Sequence, residues 1–172
     1  HRAIYQLLGA HPSEEWHRGE SCVGVRFAVW APNALSVSVI GDFNEWDGRC
    51  SPLIKVQTSD GKQTGVWSTF VPEAHIGQRY QYQLHDYHGH LLPNKADPIA
   101  FSAEIAPGRA SRICGPLSYQ WSDEFWMRDR QSHHQLNKAM STYELHLGSW
   151  SRRGRVTYRE IASELISYVN AL

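Results

Sequence analysis

The sequence has no surplus of either charge: Lys plus Arg and Asp plus Glu number 17 each among 172 residues. Without basic excess there is little to neutralise a phosphate backbone or an anionic lipid surface, so nucleic acid is not an expected partner. Long apolar runs are missing too. Nothing approaches the roughly 20 residues that span a bilayer, and the opening HRAIYQLLGAH lacks the apolar core and cleavage site of a signal peptide, so a soluble, cytoplasmic protein with no membrane partner is expected. Cysteine is scarce: Cys22, Cys50 and Cys114 are odd in number, widely spaced and outside any CxxC pattern. That excludes a disulfide framework or zinc site of familiar spacing, and reduced thiols are expected. No glycine-rich cradle accompanies the basic run Arg152, Arg153, Gly154, Arg155, which reads as a solvated loop, and no cofactor is expected.

Aromatic residues are plentiful. They make up 12% of the chain, with seven tryptophans at 16, 30, 46, 67, 121, 126 and 150. One of these stands in GDFNEWDG, residues 41–48, where polar and glycine residues otherwise mark a loop.

Short alternations dominate residues 20–115. Val23, Val25, Phe27 and Val29 alternate with small or polar residues at the period of a strand with one buried face. A break at 31–34 is followed by Leu35, Val37 and Val39, so GDFNEWDG leaves a strand end. Further strands are predicted over 66–71, 80–84 and 111–114, separated by Gly, Pro, Asn and Asp. This pattern, without an amphipathic helix, describes an all-β sandwich. Residues 1–19 read as an N-terminal segment and 116–139 as a charged connector pinned by Trp121, Phe125 and Trp126. Residues 140–147 read as a strand. Thr157 and Glu160 then form a capping box, with Val156 and Ile161 as a hydrophobic staple. Ile161, Leu165, Tyr168, Val169 and Leu172 share one helical face. One strand and one helix cannot cover that face, so residues 140–172 read as the start of an incomplete domain.

The segments GVRFAVWAPNALSVSVIGDFNEWDG at 24–48, KADP at 95–98 and MSTYELHLGSW at 140–150 closely resemble the front part of glycogen branching enzymes of the α-amylase superfamily. The resemblance runs from LGAH at 8–11 to YREIASELISYV at 158–169. It implies a mainly β fold: an immunoglobulin-like (E-set) β-sandwich over 20–115 that binds α-glucan, followed at 140–172 by the first strand and helix of an incomplete (β/α)8 barrel. The partners implied are α-glucan (glycogen or maltooligosaccharide) and the remainder of the barrel. No catalytic residue is expected here, because the carboxyl pair that a retaining glycosyl transfer requires, about 5 Å apart, belongs to later barrel strands.

In related modules the tryptophan of an FNxW loop stacks on glucose. Trp46 is the matching position, with Asn44 and Asp47 flanking it to bond hydroxyls; the competing reading packs Trp46 against the barrel or under its own loop. Where strong glycogen binders carry a lysine and a second tryptophan, this sequence has Gln81 and His90, which implies weaker binding. A module that only supports the barrel, and a self-standing module that targets a partner to glycogen, therefore stay open beside the fragment of a branching enzyme. Other suggestive residues have plainer readings. His85 and Asp86 lie in the sandwich, far from any barrel. His85, His88 and His90 surround a turn glycine without carboxylate or cysteine at metal-ligand spacing, so no metal is expected. Asp97 before Pro98 reads as a turn residue. Glu144 and His146 are expected to be structural groups of the barrel strand.

Overall fold

Strand β2 (Glu20–Trp30) runs through the first of two sheets, and its inward side chains Val25, Phe27 and Val29 are buried while Arg26 and Trp30 face outward. The alternation seen in the sequence is thus the core face of a strand. The computed structural model describes residues 3–17, 19–115, 119–133, 139–150 and 156–172. The chain divides into two units, His1–Tyr119 and Gln120–Leu172.

In the first unit, β1 (Gly9–His17), β2, β4 (Ile54–Gln57) and β5 (Gln63–Val71) form one antiparallel sheet in the order β1-β2-β5-β4. The second antiparallel sheet has the order β3-β6-β8-β7 and is built from β3 (Ser36–Gly41), β6 (Arg79–His85), β7 (Ser102–Ala103) and β8 (Ser111–Arg112). Inward residues of both sheets share a core: Phe27, Val29, Trp67 and Val71 from the first, Val37, Val39, Tyr80 and Tyr82 from the second. The Phe27 and Tyr80 rings meet across it edge to face, 5.1 Å between centroids. Interleaving of two apolar faces is what makes a stable sandwich.

Two assignments change. Residues 9–17, placed by sequence in a segment outside the sandwich, form the full-length β1 ladder with β2, from Gly9 opposite Ala28 to His17 opposite Glu20. Pro12 is tolerated because β1 is an edge strand. Val23, expected on the buried face, is 75% exposed in that hairpin.

Asp97 is a carboxylate buried in the core beside the likewise buried Ser111. Tyr80 donates a 2.7 Å hydrogen bond to Asp97 Oδ2 and the Ile99 N–H donates to Oδ1 at 2.8 Å, while the Asp97 N–H donates to Ser111 Oγ. Asp97 therefore anchors the segment before Pro98 to β6 and β8, a larger task than a surface turn.

The second unit contains α1 (Glu124–His133), a single helical turn α2 (Leu147–Trp150) and α3 (Tyr158–Val169). The expected capping box is formed: the Glu160 N–H donates to Thr157 Oγ1, and the Thr157 N–H donates to Glu160 Oε2. Ile161 is buried, but Tyr168, Val169 and Leu172 on the same face are exposed. Residues 139–146 join no ladder, and the turn of α2 starts at Leu147, so the strand predicted over 140–147 is not formed. An isolated extended segment has no partner for its backbone N–H and C=O groups. Tyr143, Trp150 and Tyr168 gather instead: Trp150 donates to the Tyr143 hydroxyl at 3.0 Å, and the Tyr168 ring lies 5.4 Å from Tyr143 and 5.8 Å from Trp150. The arginine run at 152–155 lies outside the described residues. Among the described residues no helix is long and apolar enough to cross a membrane.

Candidate functional site

Of the seven tryptophans only Trp67 belongs to the sandwich core, 5% exposed and donating from Nε1 to the Ala31 carbonyl at 2.9 Å. Trp16, Trp30 and Trp121 are exposed, and Trp46 is half-buried. The aromatic surplus is therefore largely a surface feature, and the way the protein holds Trp46 sets that residue apart.

The loop after β3 begins with a 3-10 turn over Asp42–Asn44 and continues through two non-glycine residues in the left-handed region, Glu45 at φ 53° and Trp46 at φ 62°. That backbone is disfavoured for L-residues by roughly 1–2 kcal/mol each, so neighbouring bonds must hold it. Asn44 supplies several. Its Oδ1 accepts from the Gly41 N–H at 2.9 Å, and its Nδ2 donates to the Val39 carbonyl at 3.0 Å and to Ser51 Oγ at 3.1 Å. Both amide protons are thereby used, which leaves Asn44 one acceptor lone pair for anything else.

Asp42 supplies the rest. Its carboxylate accepts from the Arg79 N–H, Nε and Nη2, and from Trp46 Nε1 at 3.2 Å. The guanidinium of Arg79 also pairs with Glu104 at 3.3 Å and lies over the Trp46 ring, 5.8 Å from its centre. Hydrogen bonds from Arg79, with smaller help from Trp46, hold the Asp42 carboxyl below its ordinary range. Asp47 is a different case. The adjacent Arg49 bonds it from both backbone and side chain and lowers its pKa to about 2, so it is ionised at neutral pH.

The loop folds over the outer face of the second sheet. Arg79, Gln81, Gln83 and His85 alternate outward along β6, the last three opposite Ile40, Ser38 and Ser36 of β3. Trp46 sits over Arg79, and Gly48 presses on Gln83, where a Cβ on residue 48 would come within 2.1 Å of Oε1. Gln81 lies between them in the row and donates from Nε2 to the Arg109 carbonyl at 3.2 Å.

Of the residues chosen from sequence, Trp46, Asn44, Asp47 and Gln81 thus collect at one end of this sheet. His90 does not join them. It belongs to the turn after β6, where Asp86 accepts from its N–H and ring, and its side chain is 77% exposed. The β3–β6 ladder from Gly41 and Tyr80 to Ser36 and His85 separates the two ends by about 17 Å at the rise of a strand. Sequence reasoning missed Arg79. Its partner Asp42 lies 37 positions away, and no local signal links them.

An antiparallel β-sandwich carrying a strained aromatic loop on one outer face places the first unit among β-sandwich modules. The chain belongs to carbohydrate-binding module family 48, described as the isoamylase N-terminal domain, whose match spans residues 7–100. Over 98% of its length it is 46% identical to the 1,4-alpha-glucan branching enzyme GlgB of Rubrobacter xylanophilus, and over its whole length 45% identical to that of Pseudomonas aeruginosa. It spans only 22% of each of those proteins. Among solved structures, type I pullulanase of Bacillus subtilis complexed with maltose aligns with 67% of this chain and 14% of its own, at 20% identity and a TM-score of 0.49.

Proposed function

We propose that this chain is the N-terminal portion of a 1,4-α-glucan branching enzyme of glycogen synthesis, with an immunoglobulin-like sandwich that holds α-glucan and buttresses a catalytic (β/α)8 barrel beginning within residues 140–172. The observation that carries the reading is the 45–46% identity to branching enzymes, which continues past the module to the end of α3. A free-standing glycogen-targeting module has no reason to retain α3 with its exposed apolar face.

In the parent reaction an α-1,4 glucan is cleaved, held as a glycosyl-enzyme, and passed to a sugar 6-hydroxyl. Its carboxyl pair belongs to barrel strands beyond residue 172, so this chain alone is inactive in branching. Its part is to hold glucan near the site. Trp46 offers an indole face to the apolar C–H face of a glucose ring while the polar neighbours bond hydroxyls, which is how an aromatic group recognises an amphipathic sugar. Asp47, Gln81 and Gln83 are the polar neighbours; Asn44 shapes the loop. His90 serves only a glucan long enough to run along the β6 row.

Calorimetric titration with maltoheptaose and β-cyclodextrin tests this. Saturable binding that weakens in Trp46→Ala is the expected result. No binding by the intact chain overturns the assignment and leaves the module as barrel support, whereas an affinity unchanged in Trp46→Ala removes Trp46 from the contact.

A further inference from the structure

We propose a second α-glucan contact on the sandwich, in a pocket walled by Tyr5, Gln6, His11, Phe101 and Cys114 that shares no residue with the Trp46 loop. The proposal rests on the reading of this chain as a glucan binder. The cavity measures about 340 Å³, at the small end of the roughly 300–1,000 Å³ typical of small-molecule sites.

Its walls suit a neutral sugar. The Phe101 ring meets Tyr5 at 6.3 Å and 78° and His11 at 6.3 Å and 75°, so the rings form an upright corner. Tyr5 is 46% and Phe101 41% exposed, more than packing residues of their size require. One ring can take the C–H face of a pyranose while hydroxyls at its rim meet the polar groups around it. His11 Nε2 lies 2.9 Å from the Leu8 carbonyl, which can only accept, so Nε2 carries a proton and Nδ1 is the ring nitrogen left to meet a ligand. The Tyr5 hydroxyl and the Gln6 side-chain amide have no hydrogen-bond partner among the described residues. Among the described residues no Lys or Arg lines the wall to select an anion, and no Asp or Glu to select a cation. What remains is an aromatic and hydroxyl-bonding corner.

The three cysteines separate the two contacts. Cys114 walls the pocket, Cys50 closes the Trp46 loop by donating its N–H to the Asp47 carbonyl, and Cys22 on β2 touches neither. Alkylation of the 172-residue chain by iodoacetamide, followed cysteine by cysteine by peptide mass spectrometry, reads each site. With maltoheptaose at ten times its Kd the free fraction falls to about one tenth, so Cys114 alkylation slows about tenfold, Cys22 is unaffected, and the Cys114 effect persists in Trp46→Ala. Phe101→Ala and Tyr5→Ala each remove it.

Slowing at Cys50 alone overturns the pocket while keeping the glucan reading. Slowing at neither Cys50 nor Cys114 overturns both. Equal protection of Cys114 by the β-linked cellohexaose overturns the α-glucan assignment. Calorimetry supplies an independent reading: Trp46→Ala retains weak binding that Trp46→Ala/Phe101→Ala loses, and a complete absence of binding in Trp46→Ala overturns the second contact.

Discussion

The guanidinium of Arg79 lies 5.8 Å from the centre of the Trp46 ring while it also grips Asp42, which accepts the Trp46 indole N–H. One cation therefore sets both the tilt of the ring and the bond that fixes its edge. Arg79→Ala is expected to weaken maltoheptaose binding about two- to fivefold, the worth of an exposed cation–π contact expressed as affinity. Arg79→Lys, which loses the planar fork that spans Asp42, is expected to fall between the two. Titration calorimetry of the three proteins makes the comparison.

Acid should loosen the same loop. Because hydrogen bonds from Arg79 lower the Asp42 pKa from 3.8, its ionised form stabilises the fold above that unfolded value, and the contribution is lost as pH falls through the depressed folded value. The stability advantage of the wild type over Asp42→Asn should accordingly be flat at neutral pH and shrink below pH 4. Thermal midpoints of both proteins across that range show whether it does.

Asp97 should behave in the opposite sense. Burial raises its pKa from 3.8, against the hydrogen bonds from Ile99, Tyr80 and Tyr82 that lower it. A raised value contributes stability that is fully present below the unfolded pKa and is lost as pH rises through the folded one. Relative to Asp97→Asn, the wild type should therefore gain stability as pH is lowered toward 3.8, in the same thermal series where Asp42 shows a loss.

Asn44→Ala removes three hydrogen bonds that brace two left-handed residues. A cost of about 2 kcal/mol is expected, since each net bond contributes about 1 and part of the exposed backbone recovers water. Denaturant unfolding measures it. A loss as small as an ordinary surface substitution gives would show that the loop holds itself without Asn44.

Gly24→Ala tests a backbone approach in the sandwich. A Cβ there would lie 2.5 Å from the Val71 carbonyl oxygen and 2.7 Å from Pro72 Cα, atoms of a neighbouring main chain that cannot swing aside. About 1–3 kcal/mol should be lost, the usual cost of overpacking, again by denaturant unfolding. Gly61, at φ 79° with nothing near, should lose about 1 kcal/mol on the same change, from backbone strain alone.

These contrasts mark how far the sequence could be read. Period two made β2, β3, β5 and β6 legible because each buries one face, and the turn chemistry around Phe43 and Trp46 located the loop. β1 escaped notice because GAHPSEEWH carries Pro12 and polar residues at an edge, so its strand character comes from pairing with β2 rather than from its own pattern. Asp97 was visible as a motif, but its buried bonds to Tyr80 and Ser111 depend on three segments meeting. Arg79 was hidden for the same reason. The Phe101 corner combines a 3-10 turn at Ile4–Gln6, β1 and a late loop, none of them patterned.

The trio of Tyr143, Trp150 and Tyr168 gives the C-terminal unit an optical label of its own. Transition dipoles of rings 5.4 and 5.8 Å apart mix, and mixing in a fixed chiral arrangement produces paired circular-dichroism bands of opposite sign. Loss of that couplet reports the melting of α3 from its aromatic neighbours, so this unit can be followed spectroscopically without attaching a dye.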